Sequence, residues 1–339
     1  MTGKITVGII GVGYWGPNLV RNYSEIEDCN LKWVCDLNEP RRAYIHQQWP
    51  DVRLSDNCQD ILKDTTVDAV IVATPVETHF DVAMAVLSAG KHIFIEKPMC
   101  FKSEDDLKIL DLADQKGLKV GTGHIFVYHP AVVKMREVIK SGSLGKSFYA
   151  FSTRMNPAPS HGNVDVVWDL AVHDISISLF LWGRSPQKVR VSGGCFAHDN
   201  RVDAATIELY FGDGAMAYHH VGWLTSAKER NFFLAAEGGS MKFDDLQKEK
   251  LRITGPAVDT RLDARAQNGH ISYAAGKTEV PVLADQEPLK AECRDFLLSI
   301  RKNTPMRSDG RFGHAIVRVL EAASVSLKNK GAVQVLEQG

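Results

Sequence analysis

The six cysteines of this 339-residue chain (Cys29, Cys35, Cys58, Cys100, Cys195 and Cys293) include no CxxC and no other close pair. Such spacing suggests neither a disulfide framework nor a metal site, and points to reduced, mostly structural thiols. No apolar run approaches the roughly 20 residues that a membrane-spanning helix needs. The opening MTGKITVGII has no long apolar core and no small-residue cleavage site, so a soluble, unexported, cytoplasmic protein is expected. Neither sign of charge is in excess: 40 Lys and Arg against 41 Asp and Glu leave a formal net charge of -1. A balanced chain has no general attraction for nucleic acid or an anionic membrane, and neither is expected as a partner. Internal repeats and low-complexity segments are also lacking. What remains is ordinary globular composition, 44% hydrophobic and 24% charged, with material for two cores.

Over the first third of the chain, short β-branched runs alternate with amphipathic stretches, the pattern of βαβ units and a parallel sheet. Strands are expected over Lys4 to Ile10, Leu31 to Cys35, Asp68 to Ala73, His92 to Ile95 and Lys119 to Gly121. Helices are expected over Glu39 to Ile45 and over His79 to Leu87, the latter stopped by Gly90. Ser103, followed by Glu104, Asp105 and Asp106, is expected to cap another helix, with acids suited to its dipole. From Gly123 the rhythm changes. A helix (Pro130 to Lys140), a strand (Ser147 to Met155) and a strongly apolar helix (Val166 to Trp182) precede several consecutive strand-like runs. Strands in succession imply a largely antiparallel sheet in a second domain. Two helices close the chain, Glu287 to Lys302 and Gly310 to Asn329, and the domains are expected to divide as 1–122 and 123–339.

Directly after the first strand comes GVGYWG, with Gly11, Gly13 and Gly16 in GxGxxG spacing ahead of a helix. Glycines there permit a tight turn, close approach of a pyrophosphate, and close packing of a helix whose N-terminus faces the anion. The motif alone is weak. Asp36, about 20 residues on at the end of the second strand, strengthens it, since an acid there bonds the adenosine ribose hydroxyls. The same carboxylate repels a 2′-phosphate and favours NAD over NADP, although Arg41 and Arg42 close by soften that preference. Tyr14 and Trp15 either shield the cofactor or cover the helix end.

FIEKP, Phe94 to Pro98, ends an apolar strand in charge at the rim where open α/β sheets place ligands. An ammonium at Lys97 there is suited to donating to a carbonyl oxygen as hydride arrives, and Pro98 holds Lys97 extended. The bland alternative is a surface ion pair. In VVWDLAVHD, Asp169 and His173 stand at i and i+4, so a helix puts carboxylate and imidazole on one face. A helix cap or a satisfied core histidine is the competing reading there.

ATPVETH (Ala73 to His79) and AGKHIFIEKP (Ala89 to Pro98), downstream of the glycine turn, resemble the glucose–fructose oxidoreductase / inositol dehydrogenase (Gfo/Idh/MocA) family over nearly the whole chain. The resemblance implies an N-terminal Rossmann domain with a doubly wound parallel sheet, and a C-terminal α+β domain with an open, mostly antiparallel sheet. It also implies that Thr74, Pro75, His79, Glu96 and Lys97 lie beside the cofactor. Asp169 and His173 match the family's DxxxH pair, which implies His173 as general base, Asp169 as its orienting partner and Lys97 as the group polarising the oxygen. A homodimer or homotetramer through the open sheet face is likewise what the resemblance implies.

Many polyol- and sugar-oxidising members carry an arginine shortly before the aromatic of GHIFVYHP, where this chain has Phe126 and Val127. GYWGPN, GHxFxYHPAV and VWDLAVHD look more like members from nucleotide-sugar and polysaccharide pathways. A nucleotide-linked or uronate sugar is therefore the expected substrate. Tyr128 and Trp168, inside two of these segments, are candidate substrate contacts. So are Arg154 and Asn156, which share a strand face with Ser152. Arg154 suits a phosphate or carboxylate, with an exposed sheet arginine as the alternative. His161, His198, His219 and His220 lack ligand spacing, so no metal is expected. The leading reading is an NAD-dependent oxidoreductase acting on a secondary alcohol or ketone of a sugar derivative. Redox-neutral lyase or glycosidase chemistry through transient oxidation of a ring hydroxyl, and a non-catalytic dinucleotide sensor, are the alternatives.

Overall fold

A computed structural model describes residues 3–157, 164–256 and 276–336. The first part of the chain runs β1 (Ile5–Ile10), α1 (Gly16–Glu25), β2 (Cys29–Cys35), α2 (Glu39–Gln48), β3 (Arg53–Ser55), α3 (Gln59–Lys63), β4 (Ala69–Val72), α4 (His79–Ser88), β5 (His92–Glu96), α5 (Ser103–Lys116) and β6 (Val120–Gly123). After a 3₁₀ turn (Ile125–Tyr128) come α6 (Pro130–Ser141), β7 (Ser147–Met155), a π-helical turn (Val167–Ala171) and α7 (Val172–Trp182). There follow β8 (Lys188–Gly194), β9 (Ala204–Tyr210), β10 (Met216–Gly222), β11 (Glu229–Ala236), β12 (Gly239–Asp244), β13 (Leu251–Thr254) and β14 (Thr278–Glu279). The chain closes with α8 (Pro288–Lys302), α9 (Gly310–Lys328) and β15 (Gln334–Val335).

The first sheet has the order β3-β2-β1-β4-β5-β6, with every neighbouring pair parallel. Strands covered on both faces must be apolar throughout, and all four residues of β4, AVIV, are buried. Chain order reverses direction across the sheet between β1 and β4, the switch point at which doubly wound sheets open a crevice. Gly90 (φ 75°) follows α4 and Gly117 (φ 66°) ends α5, left-handed positions suited to glycine. Ser103, by contrast, is the first residue of α5 and makes no cap; Lys102 precedes the helix, and the acids of its first turn meet the dipole instead.

The second sheet has nine strands, β14-β13-β12-β11-β7-β10-β9-β8-β15. Its neighbours are antiparallel except β7 and β10, which are parallel. The chain divides into two compact units, Met1–Tyr128 with Gln286–Glu321, and His129–Asp285 with Ala322–Gly339. A single boundary after residue 122 therefore differs from the observed division. Helix α8 returns to the first unit because its apolar stripe of Leu289, Cys293, Phe296, Leu297 and Ile300 packs on α1 and the Ile125–Tyr128 turn. Phe296 meets Phe94 of β5 there, ring centroids 5.6 Å apart. The expected helix Val166 to Trp182 is also two elements, since its first turn is π-helical and only Val172 onward is α. Among the described residues no helix is long and apolar enough to cross a membrane.

Candidate active site

The turn after β1 fits a dinucleotide. Gly11 has φ 93°, and a Cβ on it would lie 2.6 Å from the Ala73 carbonyl oxygen and 2.8 Å from the Thr74 nitrogen, so only glycine lets this turn press against the end of β4. A Cβ on Gly16 would lie 2.7 Å from the Gly11 oxygen, which fixes α1 close against the turn. Above Gly13 there is room, the nearest atom to a Cβ being the Arg41 guanidinium at 3.7 Å. Helix α1 has no side-chain cap on its first amides, which leaves its N-terminus suited to an anion. Bound at such a turn, a nicotinamide dinucleotide would supply the hydride acceptor or donor. Tyr14 is 84% exposed and Trp15 is half-buried.

At the end of β2, Asp36 accepts from the Val12 amide at 2.7 Å and from the Asn38 amide at 2.8 Å. Two main-chain donors hold its carboxylate in place beside the glycine turn. Arg42 donates to the Asp36 carbonyl at 2.6 Å, while Arg41 lies 3.7 Å from the carboxylate and is 53% exposed on its side chain.

Thr74 and Pro75 form the loop after β4, where the Thr78 hydroxyl donates to Thr74 Oγ1 at 2.7 Å and to the Pro75 carbonyl at 2.8 Å. His79, a candidate for cofactor contact by sequence, is instead buried. Its Nε2 lies 2.9 Å from the Thr74 carbonyl, and its Nδ1 lies 3.0 Å from the Pro98 and 3.1 Å from the Met99 carbonyl. Burial pushes its pKa down, against the pull of those carbonyls. The ring is thus a strut joining the loop after β4 to the loop after β5. Lys97 opens that second loop, half-buried, its peptide to Pro98 cis and its amide donating to Glu96 Oε2 at 3.1 Å.

Tyr128, a substrate candidate by sequence, is likewise turned to the protein. It is 3% exposed, its hydroxyl donates to Asp295 at 2.8 Å and meets Ser308 at 3.2 Å, and the Arg307 guanidinium covers its ring at 4.8 Å. It anchors the Ile125–Tyr128 turn to α8.

In the second unit, Trp168 and Asp169 belong to the π-helical turn and His173 to the first turn of α7. Wide turns of this kind recur at functional sites because they re-aim side chains that a regular helix would place differently. Asp169, 6% exposed, accepts from the Trp223 indole at 3.0 Å; Trp168 donates its own indole N–H to Ser324 at 2.9 Å. Arg154 does not present an open charge. It is 3% exposed and pairs with Asp174 of α7 through Nε and Nη2, both at 2.9 Å. Ser152 on the same strand face binds His219, whose other nitrogen meets Ser178 at 3.1 Å. That face is therefore the covered one, beneath α7. Asn156, just past the strand, is half-buried with a side-chain oxygen that finds no hydrogen-bond partner among the described residues, an acceptor suited to a ligand donor.

Trp223 and Glu292 escape a reading of motifs. Trp223 lies beyond the end of β10 with no spacing that ties it to Asp169. Glu292 does carry a signal: it interrupts the apolar stripe of α8, where burial costs a carboxylate dearly unless something compensates.

A glycine turn over a parallel sheet, an acid at the end of β2 and a lysine at the end of β5, joined to a second unit built on an open sheet, define a dinucleotide-dependent oxidoreductase. Residues 5–124 match the model of an oxidoreductase family with an NAD-binding Rossmann fold, and residues 132–242 match the GFO/IDH/MocA C-terminal domain. The chain belongs to the Gfo/Idh/MocA family. It is 29% identical over 326 residues to a UDP-N-acetylglucosamine 3-dehydrogenase of Acidithiobacillus ferrooxidans, covering 93% of this chain and 94% of that one. A crystal structure of that enzyme superposes with a TM-score of 0.82 at 26% identity, over 96% of this chain and 99% of that one. A myo-inositol 2-dehydrogenase of Thermotoga maritima is 24% identical over 220 residues, 62% of this chain and 66% of that one.

Proposed function

We propose that the protein transfers hydride between NAD and a secondary alcohol or ketone of a sugar derivative, with a nucleotide sugar or a uronate as the favoured substrate. The observation that carries this reading is Lys97 at the carboxyl end of β5, in the same parallel sheet as the glycine turn and Asp36. Lys97 polarises the reacting oxygen, His173 takes the hydroxyl proton in the oxidation direction, and Asp169 orients the imidazole. The Asp36 carboxylate, held by two amides, supports NAD over NADP because a 2′-phosphate would face a fixed negative charge. Similarity over nearly the full length to a dehydrogenase of a UDP-sugar supports the nucleotide-sugar preference. Asn156, with its open acceptor, is the substrate contact best supported in the second unit.

Self-association through the open face of the second sheet belongs to the same proposal. Tyr149 and Phe151 stand 43% and 44% exposed there, and Phe151 stacks on Phe233 at 4.9 Å; exposed apolar patches of this kind mark interfaces. Six free cysteines accord with a reducing, cytoplasmic setting.

The test is NADH formation from NAD with a panel of nucleotide sugars, uronates, inositols and free sugars, run beside Lys97→Ala. NADH appearing only with the intact lysine supports the dehydrogenase and names its sugar. Substrate consumption without net NADH replaces it with the transient-oxidation chemistry.

A further inference from the structure

Glu96 closes β5 with a carboxyl that the chemistry assigned to Lys97 does not require. Its Oε2 accepts from the Lys97 amide at 3.1 Å. A Cβ on Gly123, its partner in β6, would lie 2.6 Å from that oxygen, so a side chain there would push the carboxyl off the neighbouring strand. On α8, Glu292 is 1% exposed and keeps an Oε1 with no hydrogen-bond partner among the described residues, and the charge of Glu96 acts on it. The two carboxyls therefore lie close enough for the charge of one to act on the other.

Charge on one such carboxyl disfavours charge on the other. Burial first, then the charge of Glu96, raises Glu292 well above the carboxylate range, which favours its protonated form. Burial raises Glu96 to about 7, against the lowering by the Lys97 amide, the Lys97 ammonium and Trp15. The Asp295 carboxylate of α8 also faces Glu292 and raises it further, while the remaining groups facing the pair are neutral near that pH. His124 is pushed down to about 3 by burial and by Lys97, and burial pushes the Cys293 thiol and the Tyr23 hydroxyl up. The pair thus carries one negative charge that comes and goes around neutrality.

With Asp36 at β2 for the adenosine ribose and the glycine turn after β1 for the pyrophosphate, a dinucleotide on this sheet runs on over β4, β5 and β6. Its nicotinamide half then reaches the strand that Glu96 ends. That ring is cationic when oxidised and uncharged when reduced. We propose that Glu96, backed by the neutral acid Glu292, selects the redox form of the bound dinucleotide: ionised it favours the cationic ring, protonated it favours the uncharged one. The proposal rests on the dehydrogenase reading above. Its balance is simple, since binding of the cationic form to protein with Glu96 protonated releases that proton to the buffer.

The test is calorimetric titration of NAD⁺ near pH 7 in two buffers of different ionisation enthalpy, with Kd for NAD⁺ and NADH followed from about pH 6 to about pH 8. A fractional proton release on NAD⁺ binding is expected, with the affinity ratio moving about tenfold towards NAD⁺ as pH rises. Glu96→Gln should abolish both effects. Glu292→Gln, which exchanges one neutral group for another of the same shape, should keep both. No proton release and a flat ratio in the unaltered protein overturn the proposal, as does a release that survives Glu96→Gln. Should Glu96→Gln fail to fold, ¹³C titration of the Glu96 carboxyl in the unaltered protein decides: an inflection near pH 7 that falls when NAD⁺ is added supports it, and one that stays put overturns it. Binding of neither nucleotide sinks the dehydrogenase reading and this inference together, whereas binding without proton release sinks this inference alone.

Discussion

The indole of Trp223 donates to the carboxylate of Asp169 at 3.0 Å, and both residues are buried. A charged acceptor out of water is costly to strand, so the pair fixes where the π-helical turn aims Asp169. Trp223→Phe keeps most of the ring volume and removes the donor. Chemical denaturation should show a loss of about 1–3 kcal/mol. If Asp169 orients His173, kcat should drop about tenfold with KM little changed, the mark of an interaction made in the transition state.

Two buried histidines make the fold sensitive to acid. Burial pushes His219 down to about 4 and His124 down to about 3, below the ordinary value of 6.5. Depressed in the folded state, they stay neutral there while the unfolded chain protonates. The stability they allow is present above about pH 6.5 and is lost as pH falls towards those folded values. For His219 alone the loss is on the order of 3 kcal/mol. His219→Asn, which bonds Ser152 or Ser178 without titrating, should move the acid unfolding midpoint, followed by circular dichroism, to lower pH.

Which parts of this molecule are legible from sequence follows from how local their causes are. Strand β4 is a continuous apolar run buried on both faces, β1 and β5 are apolar and buried at most positions, and Gly90 and Gly117 punctuate helices where a left-handed residue is needed. The glycine turn and Asp36 carry their own spacing. Strand β3 is three residues at a sheet edge and α3 only five, too short for periodicity to register. The roles of Tyr128, His79 and Arg154 are set by partners distant in sequence: Asp295 for the first, the Pro98 carbonyl for the second, Asp174 for the third. A polar residue beside a motif reads as a ligand contact until its internal partner is seen. The return of α8 to the first unit is hidden for the same reason, because an amphipathic stripe says that a helix packs and not on what.

The proposed preference for NAD rests on the Asp36 carboxylate alone, since the backbone position of Asp36 is tied by other bonds. Asp36→Ser should remove the repulsion of a 2′-phosphate and let Arg41, at 3.7 Å, turn towards it. The ratio of kcat/KM for NADP over NAD should rise by about ten- to a hundredfold, the size expected of one charge at a partly exposed site. Glycine-turn binding is untouched by this change, so total dinucleotide affinity should fall far less than the ratio moves.

Arg154 and Asp174 form a bidentate pair, 4% and 1% exposed on their side chains, between β7 and α7. Taking two charges out of water costs several kcal/mol, which the pair recovers only while both members are present. Asp174→Ala leaves the guanidinium buried without its carboxylate and should destabilise the protein by about 3–5 kcal/mol. Exchanging both for apolar groups, Arg154→Met with Asp174→Leu, should cost much less than the sum of the single changes, as read by a double-mutant cycle in urea. A substrate-binding arginine behaves otherwise: Arg154→Met alone would then raise KM while leaving stability nearly intact. The two quantities move in opposite senses for the two roles, and the internal pairing at 2.9 Å favours the loss of stability.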